Sequence, residues 1–278
     1  MRMVAATICL FLATYITTTC AWAEVSKVKG SALVHTPQSA VSVIQHAAVA
    51  LPASINGGNI FQGKWMDLPK ITSAERVPVV VFLHGSSGLG LEAIGEWQLW
   101  LAGLGIASVA PDSFALPNRV TYTSPIGKDI YERLHALRAS EIEIAVNAVK
   151  KVAWVDASRL VLAGTSEGAT AVARYDGREF AARIVFSWSC EDNYFVETHG
   201  TRVIAEQPIL NIISAVDPFF SPANPWLGNP AARGHCAAAF SESKQAAVVV
   251  IPGALHTLIN LPQVRAVTRS FLEDVLKH

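Results

Sequence analysis

Short apolar runs alternate with segments of helical periodicity along most of the chain. Six runs rich in aliphatic and β-branched residues occupy 79–83, 106–110, 160–163, 184–188, 209–214 and 247–251. Amphipathic segments at 91–104, 129–152, 167–175 and 264–277 have the period of helices. This alternation is typical of a mostly parallel sheet that helices cover on both faces. The pattern therefore predicts an α/β fold with a doubly wound sheet.

The region before the first of these strands has a different pattern. Residues 24–40 show no sustained period and are predicted to be irregular. Two apolar stretches, 43–51 and 59–68, flank Asn56-Gly57-Gly58, a turn signal that favours positive φ. These features predict an N-terminal hairpin extension to the fold.

Two loops of the predicted fold are rich in Pro, Gly and Asn. They cover 113–128 and 218–234. Loops that follow strands in this architecture line the binding crevice, so we expect both to face the substrate. Their aromatic side chains are candidates for the lining, although aromatics tucked against the sheet remain an alternative; the candidates are Tyr122, Phe219, Phe220 and Trp226.

The N-terminus has the features of a signal peptide. Arg2 precedes a mostly apolar stretch at 3–16, and Ala21-Trp22-Ala23 has the small-x-small form of a cleavage site. The apolar stretch is shorter than the roughly 20 residues that a membrane-spanning helix needs. We therefore expect a signal peptide at 1–23, an exported protein, periplasmic or secreted, and no stable membrane insertion after cleavage. Lipidation of Cys20 is the alternative.

The mature chain, 24–278, has the length of one α/β domain. The full sequence has 22 Lys plus Arg and 22 Asp plus Glu, without a charge block. This balance argues against nucleic acid as a partner and favours a small neutral substrate. The oligomeric state is left open by the sequence. Cleavage leaves two cysteines, Cys190 and Cys236, which can pair in an oxidising compartment or remain free thiols.

A serine nucleophile motif lies between a predicted strand and a predicted helix. Gly164-Thr165-Ser166-Glu167-Gly168 matches G-x-S-x-G, in which a sharp turn lifts the serine above the sheet. The strand 160–163 precedes the motif and the helix 167–175 follows it, which is the setting that this chemistry requires. We therefore predict Ser166 as a nucleophile.

A serine nucleophile needs a base and an orienting acid. Asp217 follows the strand 209–214, and His256 follows the strand 247–251. The order Ser, Asp, His is the one that this type of fold uses. Asp192, after the preceding strand, is the competing acid.

The oxyanion of an acyl-transfer reaction needs preorganised donors, which backbone N–H groups supply. The amide of Glu167 lies in the first turn of the helix that follows the nucleophile. The loop 84–88 follows the first parallel strand, and the amide of Ser86 in that loop is the second predicted donor.

These motifs resemble the dienelactone-hydrolase-like branch of the α/β hydrolases. The similarity runs from about Pro78 to the C-terminus and rests on VVVFLHG at 79–85, ASVAPDSF at 107–114, WVDASR at 154–159 and the triad above. The resemblance implies an α/β-hydrolase fold and hydrolysis of small esters or lactones without a metal or an organic cofactor. Members named for dienelactone cleavage use a cysteine nucleophile. Because Ser166 stands here instead, the sequence favours a general carboxylesterase.

Two other functions remain as alternatives. A peptidase of the related oligopeptidase type normally has a large additional domain that gates the site, and the 255 residues left from 278 after removal of 23 give it no room. A non-catalytic binding protein can share the fold, since fold does not fix function. The complete triad in the expected order argues against such a protein.

Overall fold

The structure is a computed structural model that describes residues 27–277. The predicted signal peptide at 1–23 and Cys20 lie outside the described residues. The part of the chain from 27 to 277 contains ten strands: β1 Val28–Lys29, β2 Ala48–Leu51, β3 Phe61–Lys64, β4 Val77–Leu83, β5 Ala107–Ala110, β6 Thr121–Tyr122, β7 Val155–Thr165, β8 Ala182–Phe186, β9 Ile209–Ser214 and β10 Ala246–Ile251. All six strands predicted from 79 onward are confirmed.

Eight of these strands form one sheet in the order β10-β9-β8-β7-β4-β5-β2-β3. The six strands from β10 to β5 in this order are parallel, and β2 pairs antiparallel with both β5 and β3. Strands β1 and β6 form a separate antiparallel pair. The sheet is therefore mostly parallel, as predicted, and its loops at the carboxyl ends of β7, β8, β9 and β10 lie at one edge.

Among the described residues, five α-helices accompany the sheet: α1 Pro37–Gln45, α2 Glu92–Gly103, α3 Lys128–Val149, α4 Glu167–Arg174 and α5 Pro262–Val275. Four of them confirm the predicted helices within a few residues. The prediction of an irregular segment at 24–40 is wrong at its end, where α1 begins. Thr36 caps this helix by accepting from the Ser39 amide, and the Ser39 side chain accepts from the Thr36 amide.

The helices cover both faces of the sheet. Strand β4 is buried along its whole length, and its alternate side chains point to opposite faces. Val81 packs in an apolar cluster that contains residues of α1, α3 and α4, whereas Phe82 packs in a second cluster with residues of α2 and α5. This three-layer arrangement explains why the parallel strands are predominantly apolar.

The predicted N-terminal hairpin is present. Strands β2 and β3 are joined by residues 52–60, in which Gly57 and Gly58 have φ of 62° and 87°. Because β2 also pairs with β5, the hairpin extends the edge of the central sheet. Its first strand is shorter than predicted, since Val43 lies on the buried side of α1.

A disulfide joins the long loop after β8 to the long loop between β9 and β10. Cys190 follows β8, Cys236 lies between β9 and β10, and their Cα atoms are 4.8 Å apart. Both cysteines are buried. The pairing considered from the sequence is therefore present, and it anchors the segment 215–245, which consists of turns and bends.

Within residues 27–277, no helix has the length and apolar character needed to cross a bilayer.

Candidate active site

Ser166 lies in a sharp turn between β7 and α4. Its φ and ψ are 54° and −120°, a conformation that non-glycine residues adopt only where the surrounding structure holds them. The neighbouring glycines make this turn possible. A Cβ at Gly164 would lie 2.8 Å from the Val172 side chain, and one at Gly168 would overlap the backbone carbonyl of Leu83. The turn thus needs both glycines of the motif for close packing of strand and helix.

Ser166 and His256 line the same cavity, which has a volume of about 100 Å³. The Ser166 backbone N–H donates to the carbonyl of Phe186 on β8, which fixes the turn against the sheet. The loop after β4 passes close by, since a Cβ at Gly85 would be 3.3 Å from that of Ser166. The serine is thereby held at the carboxyl edge of the sheet, where the loops that follow the strands converge.

His256 and Asp217 form a hydrogen-bonded pair. The His256 Nδ1 atom is 2.7 Å from the Asp217 Oδ2 atom. Asp217 is fully buried, and its Oδ1 atom accepts from the backbone N–H groups of Phe219 and Phe220. Because an ionised carboxylate can only accept, Nδ1 carries the proton and Nε2 is left as the acceptor. This tautomer is the one that can take a proton from a serine hydroxyl.

The loop that carries His256 is fixed by two serine hydroxyls. Ser187, after β8, donates to the carbonyl of His256 at 2.6 Å, and Ser214, at the end of β9, donates to the carbonyl of Ala254 at 2.6 Å. Both serines are buried. These two hydrogen bonds hold the histidine loop at the ends of the strands that precede it, so the ring keeps its place beside Asp217.

Asp192, the competing acid, lies elsewhere. Its carboxylate is exposed and is 3.5 Å from the Lys128 ammonium group. The structure therefore brings Asp217, and not Asp192, to His256.

The two predicted oxyanion donors flank Ser166. Glu167 is the first residue of α4, where backbone N–H groups have no acceptor within the helix. Ser86 lies in the turn after β4, closed by a hydrogen bond from the Gly88 N–H to the Gly85 carbonyl, and it lines the cavity. Both positions are compatible with donation to a carbonyl oxygen bound beside Ser166.

The side chain of Glu167 points away from solvent into a buried charged cluster. Its Oε1 atom is 2.5 Å from the Arg119 guanidinium group and 3.6 Å from Arg138 Nε. The Tyr122 hydroxyl donates to Oε2 at 2.9 Å. Burial alone would raise the pKa of Glu167, but the attraction of the two arginines and the Tyr122 hydrogen bond outweigh it and lower this pKa. Glu167 is therefore a carboxylate.

Three of the four aromatic candidates line the cavity, namely Tyr122, Phe219 and Phe220. Trp226 does not: it is 41% exposed and makes an edge contact with Tyr194. The loop pattern identified this segment as aromatic, but it could not show which side of the loop each ring takes. The prediction for Trp226 is therefore wrong.

Several residues of the cavity were missed by sequence reasoning. Tyr194 and Phe195 follow β8 and form part of the wall, and Ser124 also lines the cavity. Their signal was an aromatic pair in a loop after a parallel strand, which is the same signal that identified Phe219 and Phe220. Among residues 27–277, no group of three or more His, Cys, Asp or Glu side chains is placed to hold a metal ion.

The chain was compared with known proteins. No family model and no curated protein sequence matches it. Solved structures are similar in fold. A protein assigned as a dienelactone hydrolase from Klebsiella pneumoniae is 17% identical with a TM-score of 0.55, covering 76% of this chain and 90% of its own. An esterase of Thermogutta terrifontis, Est2, is 15% identical with a TM-score of 0.51, covering 82% and 86%.

A third structure, esterase PE8, is 18% identical with a TM-score of 0.50 and covers 75% of this chain and 97% of its own. At such identities the similarity identifies the fold alone. Together with the strand order and the serine turn described above, these neighbours confirm the α/β-hydrolase fold predicted from the sequence.

Proposed function

We propose that this protein is a serine esterase that hydrolyses a small carboxylic ester or lactone through an acyl-enzyme intermediate. One observation carries the proposal: His256, which is hydrogen-bonded to the buried Asp217, lines the same cavity as Ser166 on its strained turn. The similar folds of two esterases and of a protein assigned as a dienelactone hydrolase support the same chemistry.

The proposed reaction has two halves. Ser166 Oγ attacks the ester carbonyl carbon while its proton passes to His256 Nε2, and Asp217 stabilises the imidazolium that forms. The carbonyl oxygen becomes an oxyanion that the Ser86 and Glu167 amides stabilise. The tetrahedral intermediate collapses, and the alcohol leaves with the proton from His256. Water then attacks the acyl-enzyme by the same route and releases the acid. The steps use no metal and no organic cofactor.

The cavity supports a small neutral substrate. Its volume is about 100 Å³, which leaves room for a small group beside Ser166 and His256. The lining residues that the structure describes include aromatic rings and hydroxyls but no lysine, arginine, aspartate or glutamate. A charged acyl group would lack a counterion there and would lose its hydration, so we expect short uncharged acyl groups.

We also propose that the protein is exported, with a signal peptide at 1–23 and one hydrolase domain at 24–278. The disulfide between Cys190 and Cys236 supports this location, because disulfides persist in oxidising compartments and are rare in the cytosol.

A kinetic comparison tests the proposed function. The substrates are p-nitrophenyl esters from acetyl to octanoyl, together with an acylated p-nitroanilide that reports peptidase activity. We expect wild-type kcat/KM to be highest for the shortest acyl groups and the anilide to remain intact. Ser166→Ala and His256→Ala should each lose on the order of 10⁶ in kcat, because triad members act as a unit.

The matched control is Ser87→Ala, which removes a different hydroxyl that lines the same cavity. We expect this variant to stay within a few-fold of wild type. Substantial ester hydrolysis by Ser166→Ala, or an equal loss in Ser87→Ala, would contradict the proposal.

A further inference from the structure

A buried cluster of four charged side chains lies directly behind the serine turn. Arg119, Arg138, Glu141 and Glu167 are all at most 5% exposed. Removing such charges from water is costly, and apolar residues of similar volume would often serve stability equally well. None of the four side chains takes part in the proposed chemical steps. Their presence therefore calls for a role that is more specific than stability.

Arg138 joins the two segments that carry the predicted oxyanion donors. Its guanidinium group donates from Nη2 to the backbone carbonyl of His84 at 2.8 Å. His84 is buried, directly follows β4 and stands two residues before Ser86. On its other side, Arg138 Nε is 3.6 Å from the carboxylate of Glu167, the residue whose amide is the second donor. One rigid, planar group thus spans both sides of the oxyanion site.

Each end of this connection is itself held in place. The Arg138 Nη1 atom is 2.6 Å from Glu141 Oε2, which fixes the guanidinium on α3. The Glu167 carboxylate is held by Arg119 and by the Tyr122 hydroxyl, and Tyr122 also lines the cavity. Each charge in the cluster is paired with an opposite charge, and His35 also contacts Glu141. The hydrogen bond to the His84 carbonyl and the ion pair to Glu167 connect the cluster to both donor segments, which points to a geometric role.

We propose that Arg138 and the Glu167 carboxylate are positioning residues for the oxyanion hole, and that their ion pair sets the separation of the Ser86 and Glu167 amides. The inference rests on the proposed serine esterase mechanism. Catalysis by such donors depends on their fit to the transition state, and an error of about 1 Å can cost about 100-fold in rate. Because ground-state binding depends less on this fit, loosening the ion pair should lower kcat and leave KM nearly unchanged.

The test uses the hydrolase chain 24–278 with Glu167→Gln, Arg138→Lys and the double variant. Active sites are counted by titration with a p-nitrophenyl phosphonate, so that kcat refers to folded, reactive protein. We expect kcat to fall by about 10- to 100-fold in each single variant, with KM within about twofold. Since both residues act through one ion pair, the double variant should lose much less than the product of the single losses.

A transition-state probe separates positioning from a merely structural role. A trifluoromethyl ketone adds to the serine and forms an oxyanion, whereas the matched methyl ketone stays a ketone. The inhibition constant of the trifluoromethyl ketone should rise by the same factor by which kcat falls, and that of the methyl ketone should not change. Glu132→Gln is the control, because this α3 carboxylate pairs with Arg174 away from both oxyanion segments.

Some outcomes would overturn the inference. They are an unchanged kcat per active site in both single variants, a fall in kcat accompanied by an equally large rise in KM, or a fall in kcat of the same size in Glu132→Gln. If the ion-pair variants do not fold, Tyr122→Phe takes their place; it removes one hydrogen bond to Glu167, and we expect about a 3- to 10-fold loss in kcat with an unchanged KM. Wild type that neither hydrolyses esters nor reacts with the phosphonate would refute the proposed function itself.

Discussion

Replacing Asp217 by asparagine would move one proton in the proposed active site, from Nδ1 to Nε2 of His256. Asp217 Oδ1 accepts from two backbone N–H groups, at 2.9 Å from Phe219 and 3.1 Å from Phe220. An asparagine side chain keeps these bonds only if its oxygen takes that place. Its NH₂ group then faces His256 Nδ1, which lies 2.7 Å from the present Oδ2. Two donors cannot share this contact, so the proton of His256 must move to Nε2.

A histidine with its proton on Nε2 cannot accept the proton of Ser166. The wrong tautomer in a serine triad lowers kcat by about 10⁴, which corresponds to about 5 kcal/mol of transition-state stabilisation. We therefore expect Asp217→Asn to lose about 10⁴ in kcat on p-nitrophenyl butyrate, with circular dichroism and an unfolding curve like those of wild type. Asp192→Asn, which removes an exposed carboxylate, should keep wild-type kcat.

The reasoning would be refuted if folded Asp217→Asn kept more than a tenth of wild-type kcat. A loss confined to Asp192→Asn would assign the orienting role to the competing acid.

Three further predictions concern the scaffold. Gly168→Ala should destabilise the fold by about 2 kcal/mol or more in urea, since its methyl group overlaps the Leu83 carbonyl, whereas Gly103→Ala on the open end of α2 should stabilise it by up to about 1 kcal/mol. Cys190→Ser should lose about 4 kcal/mol by the chain-entropy model for a disulfide that closes a separation of 46 residues, and an unfolding curve unaffected by the change would refute this. Burial and then the nearby Arg138 charge lower the pKa of His84 well below its usual value. Below about pH 6.5 the unfolded chain therefore binds a proton at His84 that the folded chain does not bind. The unfolding free energy should fall on acidification by up to about 1.4 kcal/mol per pH unit, and His84→Gln should flatten this slope.

The sequence predicted the central sheet well, because strands buried on both faces form short, mostly apolar runs. Strand β9 has the predicted bounds, and the other five core strands differ by a few residues at most, apart from the longer start of β7. Helix α1 was missed because its N-terminus is capped by Thr36 with Ser39, and not by the more familiar pairing with glutamate or glutamine. Its nine residues also offer little periodicity.

The triad residues of the candidate site could be predicted from the sequence, because serine, aspartate and histidine occur in the expected order along the chain. Ser166, Asp217 and His256 each follow a strand, so the sheet brings their loops to one edge. Both Asp217 and Asp192 follow a strand, so the strand pattern alone does not distinguish them. The structure does, because the loop after β9 brings Asp217 to His256 whereas Asp192 is exposed. The buried charged cluster could not be predicted from the sequence. Hydrophobic periodicity predicts the helix that carries Arg138, but it does not show that this charged side chain is buried.

Covalent labelling of the nucleophile tests the central claim most directly. The protein is treated with a fluorophosphonate, and the site of modification is mapped by mass spectrometry of its peptides. The account predicts one adduct, on Ser166, that is absent in Ser166→Ala and forms far more slowly in His256→Ala. An adduct on another serine, or esterase turnover by a protein that the reagent does not label at Ser166, would contradict it.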